Sequence, residues 1–190
     1  MTVYVGVDQA LRKIGVCVIV DDAPVVLARL APPADSRGPE RLHQLRDLLE
    51  NTLYPYQGQI SAAAMEAQSL GSLGDLDQLG QINGVVQVLL TDVLSSGGRI
   101  FIVPPAVLKK FVTSHSGASK SDMMYASAQR WGFDFTQHGD DVCDAHGLAR
   151  IAQEALESRS TLRHEVEAVA TILRHKTRRP PRKHLFAKTI

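Results

Sequence analysis

Four acidic residues stand where an apolar segment ends or where a helix begins. Asp8 ends the first apolar run of the chain, and Glu66 ends a run of small apolar residues. Asp141 and Asp144 are three residues apart at the start of a segment with helical spacing. A carboxylate beside buried apolar residues is unfavourable unless something pairs with it. Because divalent metal ions bind several carboxylates at once, the pattern predicts a metal site built from three segments.

Such a set of acids suits phosphodiester cleavage assisted by two metal ions about 4 Å apart. Asp8 ends a central strand and is placed to bridge the ions, and Glu66 ends a neighbouring strand. Asp141 and Asp144, at i and i+3, share one face of a helix. Each acid also has an ordinary explanation, as the start of a turn, a solvated strand end or a first-turn helix acid. Acids at element ends in three separate segments favour the metal site.

The elements that position these acids follow from the hydrophobic pattern. Strands are predicted at 3–8, 13–20, 25–30, 60–66 and 99–103. Helices are predicted at 40–53, 76–94, 121–131, 140–156 and 161–173, with a short one ending at residue 112. Short turns join the first three strands and favour antiparallel pairing, whereas a crossover helix before the fifth favours parallel pairing. The predicted α/β fold is a mixed five-stranded sheet flanked by helices, the order of ribonuclease-H-like proteins.

The composition limits the class of protein. The 190 residues suit one nuclease domain at 1–157, followed by a C-terminal helix and basic tail at 158–190. No apolar stretch reaches the roughly 18 to 20 residues of a membrane span, and no signal-peptide pattern is present. Cys17 and Cys143 both lie in apolar segments, which predicts two buried thiols in a reducing compartment. We therefore expect a cytoplasmic protein, in a bacterium or a phage-infected host cell.

The net charge of +1 hides an asymmetry between the two ends of the chain. Residues 163–190 carry a net charge of +6, so the remainder carries −5. The basic tract with two prolines at 174–184 predicts sequence-independent contact with nucleic-acid phosphates. A solvated tail is the alternative. The tail residues expected to bind nucleic acid are Arg178, Arg179, Arg182 and Lys183.

Three segments resemble motifs of the RuvC family of bacterial Holliday-junction resolvases. Gly6-Val-Asp-Gln-Ala-Leu-Arg-Lys-Ile-Gly15 resembles its first strand motif, and Met65-Glu-Ala-Gln68 its second acidic motif. Asp141-Val-Cys-Asp-Ala-His-Gly-Leu-Ala149 matches its paired C-terminal acids and the helix that follows. The resemblance implies that Asp8, Glu66, Asp141 and Asp144 bind two Mg²⁺ or Mn²⁺ ions per active site.

A fourth segment, 107–120, resembles the basic stretch of that family, so the resemblance spans about residues 3 to 155. It implies that Lys109 contacts backbone phosphate and that Lys120 stabilises charge on the scissile phosphate. Lys110 is an equally suitable phosphate contact, and Arg12 in the first hairpin is a further candidate. Solvated surface lysine is the alternative for each.

One segment departs from the family pattern. The family places a phenylalanine soon after the second acid, where it stacks on a base, but Ala67-Gln-Ser-Leu-Gly-Ser-Leu-Gly74 has no aromatic residue. Base stacking contributes about 1 to 3 kcal/mol. Its loss predicts activity on a broader range of branched DNA, as in a phage-type or divergent member. His146, Trp131 and Phe133 are interpreted as packing residues.

The leading hypothesis is a metal-dependent endonuclease that cuts four-way DNA junctions. Symmetric cleavage needs two opposed active sites, so a homodimer is expected, with the helix at 76–94 at its interface or buried in the core. One alternative is a nuclease of the related YqgF type acting on structured RNA. Another is a catalytically silent DNA-binding protein. The sequence gives no indication of a branch-migration partner.

Overall fold

A five-stranded mixed sheet forms the centre of the computed structural model, which describes residues 1–68 and 76–174. The strands are β1 Val3–Ala10, β2 Lys13–Val20, β3 Ala23–Leu30, β4 Ile60–Glu66 and β5 Leu94–Val103. Their order is β3-β2-β1-β4-β5, antiparallel among the first three and parallel for β1-β4 and β4-β5. The predicted mixed sheet is confirmed.

The two hairpins are tighter than the sequence pattern predicted. β1 continues to Ala10, which pairs with Lys13, so the connection has two residues instead of four. In the second hairpin, Asp21 and Asp22 have φ of 45° and 74°, which aspartate tolerates in a two-residue turn. β3 begins two residues earlier than predicted and includes Pro24. An edge strand accepts proline because no neighbouring strand needs its missing N–H.

β5 begins at Leu94, five residues before the predicted start at 99, directly after the preceding helix ends. Its register against β4 shifts, because Ile60 pairs with Leu94 whereas Ala62 pairs with Arg99. Gly97, with φ of 88°, lies in this irregular part. The first half of β5 was not predicted because Ser95-Ser-Gly-Gly98 is polar. An edge strand with a bulge does not need a continuous apolar run.

Helices cover both faces of the sheet. They are α1 Gly38–Leu53, α2 Leu76–Val93, α3 Pro105–Thr113, α4 Lys120–Trp131, α5 Asp140–Glu157 and α6 Arg163–Arg174, with a 3₁₀ turn at Tyr54–Tyr56. Val3, Val5 and Val7 face the cluster formed with α1 and α2, whereas Tyr4 faces the cluster formed with α3 to α6. This alternation follows from the two-residue period of a strand. The even-numbered side chains of β1 therefore point towards α5.

The last described helix packs on the rest of the fold. Ala168, Val169 and Ile172 of α6 join the cluster that also contains α3 and α5 residues. The division between 1–157 and 158–190 stays a prediction, since most of the basic tail lies outside the described residues. Within the parts of the chain that the structure describes, no helix combines the length and apolar character needed to cross a membrane.

Candidate active site

Two of the four predicted acids come together because their strands are parallel neighbours. Val7 of β1 pairs with Met65 of β4, so the next residues, Asp8 and Glu66, lie side by side on the sheet face towards α5. Their carboxyl groups share a hydrogen bond. The Gln9 side chain donates a hydrogen bond of 2.6 Å to the Glu66 carbonyl and fixes the end of β4.

The other two acids reach this edge because two glycines let α5 lie directly on the sheet. A Cβ on Gly6 would stand 1.9 Å from the Ala145 carbonyl oxygen, and one on Gly15 would stand 2.2 Å from the Asp141 carbonyl oxygen. These contacts are with helix backbone, so any side chain at either position would displace α5. The close approach brings Asp141 and Asp144, in the first turns of α5, above Asp8.

The four carboxylates form one electrostatic cluster. Burial and then the negative charges of Glu66, Asp144 and Asp141 raise the pKa of Asp8 to about 8. Burial, followed by the charge of Glu66, raises the pKa of Asp144 to about 7. Burial also raises the pKa of Glu66, although its hydrogen bond to Asp8 opposes this shift. Mutual repulsion of this kind is typical of a site that receives positive charge.

The donor chemistry fits a hard divalent cation, although the side chains do not enclose one. Carboxylate oxygens are the preferred ligands of Mg²⁺ and Mn²⁺. Among residues 1–68 and 76–174, no group of three or more His, Cys, Asp or Glu side chains is arranged to hold a metal ion. The acids are therefore gathered at one edge without a closed coordination shell, and ligation requires side-chain movement.

Asp141 differs from the other three acids because it has cationic partners that the sequence did not suggest. Its Oδ2 atom lies 2.5 Å from Lys13 Nζ and 3.4 Å from Arg29 Nε. The residue is only 6% exposed. Lys13 stands two residues before Gly15 on β2, so both lie on the sheet face towards α5. This spacing was the feature of the sequence that could have indicated the contact with Asp141.

Lys120 lies near enough to the acid cluster to feel its charges, and it also has a partner. Its ammonium group forms an ion pair with Asp140. This contact is the main cause that raises the pKa of Lys120; burial opposes the shift, and the charges of Asp140, Asp141 and Asp144 add to it. Lys120 is the first residue of α4, where the Ser119 and Asp122 side chains form a capping box. Its side chain is 74% exposed and is free to extend from the protein surface.

The remaining predicted phosphate contacts fall into three groups. Lys109 on α3 is near enough to lower the pKa of Glu66. Lys110 points to α6 instead, where its Nζ lies 2.7 Å from Glu167 Oε2, and Arg12 is exposed in the β1-β2 turn. The tail residues Arg178, Arg179, Arg182 and Lys183 lie outside the described residues, as does most of the aromatic-free loop after Glu66.

The residues interpreted as packing groups are part of the core. His146 is fully buried, and its ring meets the Trp131 ring edge-on at 4.9 Å between centroids. Burial lowers the pKa of His146 to about 3, so the ring is neutral at physiological pH. Phe133 packs against the same cluster. Cys17 and Cys143 are buried free thiols, as predicted.

Three of the four acids are partly accessible to solvent. Asp8, Glu66 and Asp144 are each half-buried at the sheet edge. A cavity of about 610 Å³ lies elsewhere, between the α3-α4 loop, α4 and the start of α6, and none of these acids lines it.

Comparison with solved structures identifies the fold. The structure of Thermus thermophilus RuvC matches this chain with a TM-score of 0.64 and 17% identity, over 77% of this chain and 90% of that one. T. thermophilus RuvC in complex with Holliday junction substrate matches with a TM-score of 0.66 and 17% identity, over 78% and 91%. The chain thus has the ribonuclease-H-like fold of RuvC, as predicted. No protein-family model and no curated protein sequence matches it.

Proposed function

We propose that this chain is a divalent-metal-dependent endonuclease that resolves Holliday junctions and related branched DNA by paired phosphodiester hydrolysis. The observation that carries the proposal is the gathering of Asp8, Glu66, Asp141 and Asp144 into one cluster with raised pKa values for Asp8, Glu66 and Asp144. The fold shared with RuvC supports the substrate class, because one of the matching structures contains a Holliday junction.

Each residue of the site has a defined task in this proposal. When bound, two Mg²⁺ or Mn²⁺ ions would activate water and stabilise charge on the leaving oxygen. Asp8 and Glu66 hold the centre of the site from the rigid sheet, and Asp141 and Asp144 complete it from α5. Lys120 extends from the capped start of α4 to neutralise the scissile phosphate, because a lysine is a compact point charge. Lys109 positions the neighbouring backbone phosphate.

The basic tail is proposed to add affinity that does not depend on base sequence. Each phosphate neutralised by Lys or Arg releases counterions, so binding through the tail weakens steeply with salt. The absence of an aromatic residue between Ala67 and Gly74 supports a substrate range wider than the four-way junction alone. We expect this activity in the cytoplasm of a bacterium or of a phage-infected cell.

We further propose that two copies act together through the outer face of α2. The inner face of this helix is used by the core, where Ile82, Val86 and Leu90 are buried. The outer face presents Gly84, where an added Cβ would have no atom of the described residues within 4 Å, and Val88, which is 64% exposed. Small and apolar exposed residues on one helix face suit a two-fold interface.

Val88→Glu is expected to separate the dimer, because two glutamates would meet across the two-fold axis. Light scattering should give twice the 20.7 kDa of one chain for the original protein and 20.7 kDa for the variant. Val25→Glu is the matched control, since Val25 is a similarly exposed valine on β3. A Val88→Glu protein that keeps the mass of two chains would exclude this face as the interface.

The substrate class is tested by incubating the purified chain with four-way, three-way, flap and linear duplex DNA and with a structured RNA. We expect Mg²⁺- or Mn²⁺-dependent cleavage of the four-way junction, with paired nicks in opposed strands and weaker cutting of the other branched DNAs. Denaturing electrophoresis of end-labelled strands measures the products. Preferential cleavage of the RNA would point to the YqgF type of activity, and binding without any cleavage would point to a silent DNA-binding protein.

A further inference from the structure

Among the described residues, the Asp141 carboxylate has close ion-pair partners that Asp8, Glu66 and Asp144 lack. Lys13 Nζ lies 2.5 Å and Arg29 Nε 3.4 Å from the same Asp141 oxygen, Oδ2. Within the described residues, no Lys, Arg or His nitrogen lies within 4.0 Å of a carboxylate oxygen of Asp8, Glu66 or Asp144. One of the four acids is thus neutralised by the protein itself, and three are not.

The architecture of the sheet explains this environment. Lys13 and Gly15 are two residues apart on β2 and point to the same face, and Arg29 on β3 pairs directly with Gly15. The Asp141 backbone covers Gly15, so its side chain lies between the two cationic residues. A one-residue change of register would turn Lys13 to the opposite face. The contact therefore depends on three elements, β2, β3 and α5.

The contact has a direct consequence for ion binding. Asp141 is 6% exposed, and a carboxylate buried to this degree is strongly unfavourable without a partner. Lys13 compensates this charge, yet its ammonium group lies 2.5 Å from one of the two oxygens that a divalent ion would use. Two cations beside the same carboxylate repel each other, and this repulsion lowers the affinity of Asp141 for a metal ion. A metal ion ligated by Asp141 must overcome the repulsion or move Lys13.

We propose that Lys13 is a positioning residue that acts through Asp141: it serves as the resident counter-cation of this acid and lowers the affinity of the site for divalent ions. This inference rests on the proposed function. The Lys13 side chain is 29% exposed while paired with Asp141, so it has access to solvent close to the β1-β2 turn. Arg29, which is farther from Asp141 and half exposed, contributes in the same direction with a smaller effect.

The test is a titration of the DNA-free protein with Mn²⁺ by isothermal calorimetry, with cleavage not measured. Lys13→Met removes the competing charge and keeps most of the side-chain volume. We expect it to bind Mn²⁺ about tenfold more tightly than the original protein, equivalent to about 1.4 kcal/mol. Arg99→Met is the matched control, because it removes the same charge from an exposed residue of β5 that has no part in the proposed site. Its affinity should change less than about twofold.

A second variant and a second readout make the result decisive. Arg29→Gln should give a smaller gain in affinity in the same direction, and it tests the inference if Lys13→Met does not fold. A merely structural ion pair would lower the free energy of unfolding of Lys13→Met without changing Mn²⁺ affinity. Unchanged or weaker Mn²⁺ binding by Lys13→Met would overturn this inference alone, provided that the original protein binds Mn²⁺. Absence of binding by every variant would overturn the metal site as well.

Discussion

Asp8→Asn is expected to abolish cleavage of the four-way junction while making the metal-free protein more stable at pH 8. The amide keeps the shape of the side chain but removes the charge that a divalent ion needs. A loss of several kcal/mol of charge stabilisation corresponds to roughly a thousandfold lower rate. Binding of the junction in the presence of Ca²⁺, measured by gel shift, should be retained because the phosphate contacts remain.

The gain in stability follows from the pKa of Asp8. It is about 8 in the fold against 3.8 ordinarily, so between these pH values the folded protein keeps a proton that the unfolded chain has released. The free energy of unfolding therefore falls as pH rises from about 4 to 8. Asparagine cannot ionise, so Asp8→Asn should gain on the order of 3 kcal/mol over the original protein at pH 8 and little near pH 4.

Urea unfolding in EDTA at both pH values measures this difference. The matched control is Asp35→Asn, which changes an exposed aspartate in the loop before α1 and should leave both stability and cleavage near the original values. Equal stability of Asp8→Asn and the original protein at pH 8 would mean that the four acids do not repel one another as described. Undiminished cleavage by Asp8→Asn would remove its catalytic assignment.

Gly6→Ala is expected to damage both the fold and the site, although it adds only one methyl group. The new Cβ would lie 1.9 Å from the Ala145 carbonyl oxygen and 2.4 Å from the Ala149 nitrogen. Both atoms are helix backbone and cannot rotate away, so α5 must move. Overpacking of this kind costs about 3 kcal/mol. Because α5 carries Asp141 and Asp144, a displacement of about 1 Å should lower cleavage about a hundredfold.

Gly80→Ala is the matched control for this substitution. Gly80 lies in α2, and among the described residues its Cβ would meet only the Gln68 side chain, at 3.9 Å, an ordinary contact. Alanine is the better helix former, so this variant should be more stable by about 0.5 to 1 kcal/mol. Urea midpoints of the two variants, measured side by side, check the prediction. A Gly6→Ala protein as stable as the original would contradict the close packing of α5 on β1.

The parts of the fold set by local pattern could be predicted from the sequence. β2 and β4 were predicted with their observed bounds, because β-branched or small apolar runs between turn residues specify buried strands. Asp8 and Glu66 could be selected as candidates because a carboxylate at the end of an apolar run needs a partner. The start of β5 was missed, since its polar, glycine-containing first half has no strand-like periodicity.

The partners of the site residues could not be predicted in the same way. Lys13 meets Asp141 only because Gly15 admits the α5 backbone, and this contact joins residues far apart in the sequence. Likewise, Lys120 was identified by resemblance, but its ion pair with Asp140 depends on how α4 and α5 pack. Side-chain pairing between distant elements is decided by tertiary geometry, for which the local pattern carries no signal.

The capped start of α4 has a mechanical consequence for Lys120. Ser119 accepts a hydrogen bond from the Asp122 N–H, and the Asp122 carboxylate accepts one from the Ser119 N–H, so the first turn of α4 resists fraying. The backbone of Lys120 is therefore held in place, whereas its side chain of four methylene groups can still change conformation. Under the proposed function, Lys120 would thus reach phosphates at several distances from one fixed backbone position.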